Sequence, residues 1–194
     1  MPGSPFIPPP IPMHLAQFPT SGGLVIPFIT LQHRNGKAAL GLVDANRVEL
    51  CLRERRCSVC GSVVAERMVF LLRRIDLARK CSTEPALCPP CAAYTQQACP
   101  MVTGHMARYQ ASVSPFAART CGDPQCPCAL WAPPDDKTAR LGAPADQWFA
   151  LWTLQYSLIR DDAGRLAASF AGRKVLGIRE IGKESGFPIE GQAG

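Results

Sequence analysis

Cys57-Ser58-Val59-Cys60-Gly61 and Cys88-Pro89-Pro90-Cys91 mark the two ends of the stretch that decides the fold. At each end, two cysteines are separated by two residues, a spacing that delivers two thiolates to one side of a metal ion. Zinc takes four such ligands in a tetrahedron, with sulfur at about 2.3 Å. The sequence therefore predicts one zinc site, formed by Cys57, Cys60, Cys88 and Cys91.

The residues around the two pairs predict a knuckle, a hairpin and a helix. Gly61 allows the backbone to fold under the first pair. Pro89 and Pro90 suit the first turn of a helix that continues to Ala98, because a missing N–H costs little there. Residues 67–73, between the pairs, predict a strand. Together these elements predict an α+β fold built on a treble-clef-like zinc module.

Other roles of the paired cysteines stay open at this stage. A Cys-x-x-Cys pair at a helix N-terminus is also typical of a thiol-disulfide redox protein, because the helix lowers the thiol pKa. No strand of a thioredoxin-like unit precedes Cys88, however. A disulfide framework and simple burial of the thiols as small apolar groups are the remaining alternatives.

The composition is typical of a globular protein with a modest positive charge. Of the 194 residues, 47% are hydrophobic and 19% are charged, which is unlike a disordered chain. The formal net charge is +6; four zinc-bound thiolates (−4) and the ion (+2) bring it to about +4. That charge permits an acidic partner without requiring one.

The N-terminal sequence leads us to expect a soluble, cytoplasmic protein that does not bind a membrane. No residue before Arg34 is charged, so the positive region of a signal peptide is missing. Frequent prolines in the same region exclude a spanning helix of about 20 residues. Ten cysteines without an export signal then indicate metal binding in a reducing compartment.

Composition and periodicity divide the chain into five parts. A short helix from Ala45 to about Arg56, capped by Asp44, is expected to lead into the knuckle, and a turn is expected near Asp76. The predicted parts are a Pro-rich flexible arm (1–22), the zinc module (23–105), an irregular connection (106–147), a β-meander packed on the zinc module (148–183) and a frayed tail (184–194).

The C-terminal part is predicted to be an antiparallel meander of three strands. Residues 148–159 alternate large apolar and polar side chains, which favours a half-buried strand, although a helix also fits this stretch. Residues 166–170 and 175–181 follow, each after a turn that contains glycine.

Part of this pattern resembles a known family. Cys-x-Val-Cys-Gly, the strand, Glu84-Pro85, Cys91-Ala92-x-Tyr94 and Ala98-Cys99-Pro100 are similar to motifs of small cysteine-rich proteins in bacteria and their phages. The resemblance covers about residues 45–105. That family has a histidine where this chain has Cys88, which implies a ligand role for Cys88. The resemblance implies no activity, since none is established for the family.

A second group of cysteines predicts a second metal site. Cys121, Cys126 and Cys128 lie within eight residues, in a stretch rich in turn formers. A fourth ligand is needed, and Cys99 is the first choice because it is left over at the end of the zinc helix. His105 is the fallback ligand, while His14 and His33 are expected to be ordinary surface residues.

The alternative function is nucleic-acid binding through a basic stretch, which consists of Arg73, Arg74, Arg79 and Lys80. No aromatic residue is interleaved there for stacking on bases, and the aromatic strand at 148–156 has few positive neighbours in sequence. No phosphate-binding loop, nucleophile motif or paired carboxylates indicate an enzyme. The sequence thus favours a zinc-stabilised protein-interaction or architectural module, with a protein partner that it does not identify.

Overall fold

The computed structural model describes residues 6–111, 121–130 and 140–182, and these form a mixed α+β fold with few helices and antiparallel sheets. The helices are α1 (Ala45–Glu54), α2 (Arg74–Arg79) and α3 (Pro89–Ala98). The strands are β1 (Thr20–Ser21), β2 (Leu24–Val25), β3 (Thr30–Gln32), β4 (Ala38–Val43), β5 (Met68–Arg73), β6 (Cys81–Ser82), β7 (Trp148–Thr153), β8 (Ser157–Arg160), β9 (Leu166–Ser169) and β10 (Val175–Glu180).

The central sheet has the strand order β10-β7-β5, with both pairings antiparallel. β5 is an unbroken apolar run whose first five residues are all buried, as expected of a strand that is covered on both faces. Phe70, fully buried, contacts Tyr156 and Phe170 edge-on, with ring centroids 5.4 and 4.8 Å away. The core therefore lies between β5 and the chain that follows β7.

A second sheet has the order β6-β9-β8 and corrects the predicted meander. The predicted strands are present, but β10 pairs with β7 instead of β9. The predicted strand 148–159 also divides, so that β7 and β8 belong to different sheets. Thr153, fully buried, has its hydroxyl 2.9 Å from the Gln155 carbonyl and 3.0 Å from that of Lys174, which holds the bend between them.

The burial along this segment differs from the predicted alternation. Leu154 and Leu158, which were expected on the buried face, are 49% and 42% exposed, whereas Thr153 is fully buried. The bend after Thr153 breaks the two-residue repeat of a straight strand. Simple alternation therefore mispredicts which side chains face the core.

Two helices flank the knuckle and β5. As predicted, Asp44 caps α1, and its carboxylate accepts the Asn46 N–H at 2.9 Å. The turn predicted near Asp76 is instead the short helix α2, because the Asp76 carboxylate accepts the Arg73 amide at 2.9 Å and satisfies a free donor at the helix start.

Among the described residues, no helix combines the length and apolar character needed to cross a bilayer.

The N-terminal segment differs from the flexible arm that the sequence predicts. Met13–Leu15 form a short 3-10 helix, and Leu15 is fully buried in the core. β1 and β2 pair as a small hairpin, and the Val25 amide donates to the Tyr94 hydroxyl at 3.1 Å. Apolar side chains between the prolines therefore attach residues 6–22 to the fold, whereas the predicted tail lies outside the described residues.

Candidate metal centres

The first cysteine pair lies in a knuckle that follows α1. The Gly61 amide donates to the Cys57 carbonyl at 2.8 Å, and the Cys57 amide donates to the Ser62 carbonyl at 2.8 Å. Gly61 has a φ of +72°, a left-handed conformation that glycine adopts without steric cost. These bonds close a tight turn that brings the thiols of Cys57 and Cys60 to the same side.

The second pair is held at the start of α3. Cys88 is the N-cap residue, followed by Pro89 and Pro90 in the first turn, as the sequence predicts. Just before it, Leu87 exchanges two backbone hydrogen bonds with Val69 of β5, at 2.8 and 2.9 Å. This pairing fixes the approach of the chain to α3.

One hydrogen bond joins the two halves of the site. The Ser58 amide, inside the knuckle, donates to the Ala86 carbonyl at 2.9 Å. This bond brings the knuckle to the segment that carries the second pair. The ligand geometry therefore depends on tertiary structure as well as on the spacing of each pair.

The four thiols that the sequence predicts as ligands do converge. Their sulfur atoms all lie within 4.8 Å of one another, and the Sγ atoms of Cys60 and Cys88 are 4.0 Å apart. Tetrahedral bonds of about 2.3 Å require sulfur–sulfur separations of about 3.8 Å. Cys57, Cys60, Cys88 and Cys91 therefore form one of the two Cys/His clusters in the described part of the chain that are positioned to hold a metal ion.

The thiols of this cluster strongly perturb one another's protonation. Hydrogen bonding with Cys57 is the main cause that lowers the pKa of Cys60 far below its ordinary value and that of Cys88 to about 7. Hydrogen bonding with Cys60 raises the pKa of Cys57, and hydrogen bonding with Cys57 raises the pKa of Cys91. A bound cation would favour the thiolate form of all four, because metal-ligating cysteines are deprotonated.

A histidine lies beside this cluster. His14 Nε2 is 3.6 Å from Cys91 Sγ, close enough for the ring N–H to donate to a thiolate. The ring is held there because the next residue, Leu15, is buried in the core. His14 was expected to be an ordinary surface residue. It is exposed, but it also contacts a cluster cysteine from outside.

We predict that Gly61→Ala destabilises the protein by about 1–3 kcal/mol in thermal or denaturant unfolding. Alanine is strained at a φ of +72°, and its Cβ would lie 3.0 Å from Cδ2 of Phe28. Gly104→Ala is the matched control, since Gly104 has a φ of +76° with no atom within 4 Å of the added Cβ. Equal losses in the two variants would contradict the role of Phe28.

The second cluster consists of His33, Cys121, Cys126 and Cys128. The Sγ atoms of Cys121 and Cys128 are 3.8 Å apart, and Cys126 Sγ lies 3.6 Å from His33 Nδ1. The three cysteines that the sequence grouped together are thus confirmed as neighbours. All ten cysteines of the chain are free, so neither cluster is closed by disulfides.

The fourth member of this cluster differs from the prediction. Cys99, the expected ligand, is outside the cluster and caps the C-terminal end of α3. His105, the fallback, is also outside, and its ring lies 5.3 Å from that of Phe6. His33, expected on the surface, is instead only 6% exposed. No local spacing indicates His33, because it lies 88 positions before Cys121.

The basic stretch predicted for nucleic-acid contact is only partly available. Arg73 is engaged with the Asp76 carboxylate, with two guanidinium bonds of 2.9 Å, and its side chain is 14% exposed. Arg74 is exposed and lies over the Phe149 ring, 5.7 Å from its centroid. Arg79 and Lys80 are also exposed. Three of the four predicted cations therefore face solvent.

The aromatic strand has more positive neighbours than the sequence indicates. Besides the pair of Arg74 with Phe149, Arg179 lies 5.9 Å from the centroid of Trp152. Phe149 and Trp152 are three residues apart on β7, so their side chains point to opposite faces of the sheet. The two pairs therefore do not form one surface.

Comparisons with known proteins give no match. No model of a protein family matches the chain, and neither a curated protein nor a solved structure is significantly similar to it. The resemblance to the cysteine-rich family of bacteria and phages therefore stays a prediction. The geometry of the two clusters is the main guide to function.

Proposed function

We propose that this protein is a zinc-stabilised protein-interaction or architectural module. Its structural zinc ion is bound by Cys57, Cys60, Cys88 and Cys91. The observation that carries the proposal is the convergence of these four thiols from two chain segments within 4.8 Å. A knuckle, a strand and a helix that supplies the last two ligands from its start would make the module treble-clef-like.

Zinc is the metal that suits this set of ligands best. Four thiolates in a tetrahedron are typical of zinc or of iron in iron–sulfur centres. The cysteines of a multi-iron cluster bind different iron atoms and stand farther apart than the edges of a single tetrahedron. Separations of at most 4.8 Å therefore favour a single ion.

Metal analysis of the purified full chain tests the identity of the ion. Elemental analysis by mass spectrometry should find zinc. When cobalt replaces zinc, the absorption spectrum should be that of a tetrahedral site with four thiolate ligands. Iron in place of zinc would overturn the metal assignment. A metal-free protein that is fully folded would overturn the structural role as well.

Four cysteine ligands argue for structure and against catalysis. A catalytic zinc keeps one position open for water or substrate, whereas four thiolates close the coordination sphere. The ion would instead hold the knuckle to α3. We therefore assign the module a binding or architectural role, with the function carried by its surface.

The edge of the central sheet supports a protein partner. Among the described residues, β10 pairs with a strand on one side only. Leu176 and Ile178 on this strand are 42% and 54% exposed. An edge strand with exposed apolar side chains is a surface to which another chain can add a strand.

Nucleic-acid binding is the second candidate, and the exposed cations Arg74, Arg79 and Lys80 favour it. The ion pair of Arg73 with Asp76 speaks against it, because it removes one cation from the group. The placement of Phe149 and Trp152 on opposite faces speaks against it too. These observations rank nucleic acid below protein as the partner.

A salt titration separates the two candidates. We expect no submicromolar binding to duplex DNA or RNA at physiological salt. Phosphate contacts would give a log–log slope of about −0.9 each on duplex DNA, so four contacts give about −4. Two results together would overturn the choice of a protein partner. The first is submicromolar binding of nucleic acid with a slope of about −4 or steeper, and the second is loss of that binding in the triple variant Arg74→Ala, Arg79→Ala and Lys80→Ala.

The matched control for that triple variant removes the same charge elsewhere. Arg160, Arg173 and Lys174 are exposed cations on and after the β8–β9 hairpin. If replacing these three by alanine weakens binding equally, the contact is a general effect of positive charge and not a site. Arg73 is left intact in both variants because its ion pair with Asp76 has a structural role.

A further inference from the structure

We propose that His33, Cys121, Cys126 and Cys128 bind a second zinc ion, with His33 Nδ1 as the ligand that completes the tetrahedron. This ion would fasten residues 121–130 to the hairpin formed by β3 and β4. The proposal goes beyond the function assigned above, which rests on the first cluster alone. The distances between the four ligand atoms, the hydrogen bonds around them and the turns that carry them support this second site.

The distances match the edges of a zinc tetrahedron. With zinc–sulfur bonds of about 2.3 Å, two thiolates stand about 3.8 Å apart; with a zinc–nitrogen bond of about 2.0–2.1 Å, sulfur and nitrogen stand about 3.6 Å apart. The Cys121–Cys128 sulfur separation is 3.8 Å, and the distance from Cys126 Sγ to His33 Nδ1 is 3.6 Å. All four ligand atoms lie within 4.8 Å of one another.

A disulfide is not an alternative account of these distances. A disulfide requires about 2.05 Å between sulfur atoms, well below the 3.8 Å between Cys121 and Cys128. Both Cys126 and His33 are only 6% exposed. Three thiols and one imidazole converge here, and two of these four groups are buried. A bound metal ion accounts directly for this arrangement.

The surroundings supply the outer contacts of a metal centre. The Arg34 amide donates to Cys126 Sγ at 3.3 Å. A hydrogen bond of this kind, from outside the coordination sphere, orients a thiolate ligand. The Arg34 guanidinium bonds the Gln125 side chain and lies 4.0 Å from the Asp123 carboxylate. Three thiolates and one zinc ion carry a charge of about −1, so an adjacent arginine offsets the charge of the site.

Backbone turns on both sides hold the ligands in place. His33 opens the β3–β4 turn, where its amide donates to the Lys37 carbonyl at 2.8 Å. In the other segment the Cys126 amide donates to the Asp123 carbonyl at 3.0 Å, and a 3-10 helix (Pro127–Leu130) follows. The ion would therefore join two locally ordered turns that are far apart in sequence.

Metal content of the full chain tests the proposal. The wild-type protein should carry two zinc ions, and His33→Ala should carry one, because the first cluster keeps its four thiols. His105→Ala is the matched control: it removes the histidine that the sequence favoured and should leave two ions. A wild-type ratio of one that His33→Ala leaves unchanged, two ions retained in His33→Ala, or one ion lost in His105→Ala would each overturn the proposal.

Cadmium substitution gives a measurement on the wild-type protein that does not depend on how a variant folds. NMR-active cadmium and nitrogen isotopes should show a scalar coupling between cadmium and His33 Nδ1, and two cadmium signals from different ligand sets. A coupling to a nitrogen of His105 instead would overturn the assignment. Cadmium signals that come from four-thiolate sites alone would overturn it too. Loss of the first ion in the wild type, with this coupling retained, would count against the proposed function alone.

Discussion

Cys91→Ser should unfold residues 57–100 even at low temperature. A structural zinc ion contributes about 10–16 kcal/mol at neutral pH in small peptides, which equals or exceeds the about 5–15 kcal/mol net stability of a domain. Serine at position 91, in the first turn of α3, removes one of the four proposed ligands. Amide hydrogen exchange should therefore lose native protection in the knuckle, in β5 and in α3.

Cys99→Ser is the matched control for this variant. Cys99 caps the same helix but lies outside both clusters. The Cys99→Ser variant should therefore keep native protection against amide hydrogen exchange. A Cys91→Ser protein with native exchange across residues 57–100 would show that the first ion is not needed for folding. Chelation of the wild-type protein should also remove native protection from residues 57–100, since it removes the first ion together with the second.

Phe70→Ala should destabilise the protein by about 3–5 kcal/mol in denaturant unfolding. Phe70 is fully buried at the centre of β5, and its ring contacts Tyr156, the residue before β8, and Phe170, the residue after β9. Alanine would leave a cavity that these two rings cannot close, because the Tyr156 hydroxyl donates to the Leu52 carbonyl and the Phe170 amide donates to the Lys80 carbonyl.

Leu154→Ala is the control for this change. Leu154 is 49% exposed, just after β7, so the same kind of truncation should cost less than about 1 kcal/mol. A loss in Phe70→Ala no larger than in Leu154→Ala would contradict the view that the two sheets share one core. The m-value should be unchanged in both variants if unfolding stays two-state.

Local signals account for the features that the sequence predicts well. The Cys-x-x-Cys turn with Gly61, the prolines that open α3 and the Asp44 cap of α1 each specify structure within a few residues. The apolar run of β5 needs no partner to be recognised as a buried strand. These elements carry all four ligands of the first cluster, which is why that cluster could be predicted.

Features set by distant contacts could not be predicted in the same way. β10 follows β9 in sequence but pairs with β7, a choice that packing decides and local periodicity does not. Likewise, a lone histidine after an apolar strand resembles any surface residue until the fold brings it to a cysteine group. His33 could have been found only by asking which histidine supplies the missing fourth ligand.

The burial of Leu15 has a consequence for how the chain assembles during synthesis. Leu15 leaves the ribosome 76 residues before Cys91, the last ligand of the first cluster. At about 5–20 residues per second, Leu15 waits about 4–15 s before Cys91, which the neighbouring His14 contacts, is made. The prolines around Leu15 disfavour a helix or a central strand in that interval. Translation speed over this stretch would therefore govern how long apolar side chains such as Leu15 remain open to chaperones.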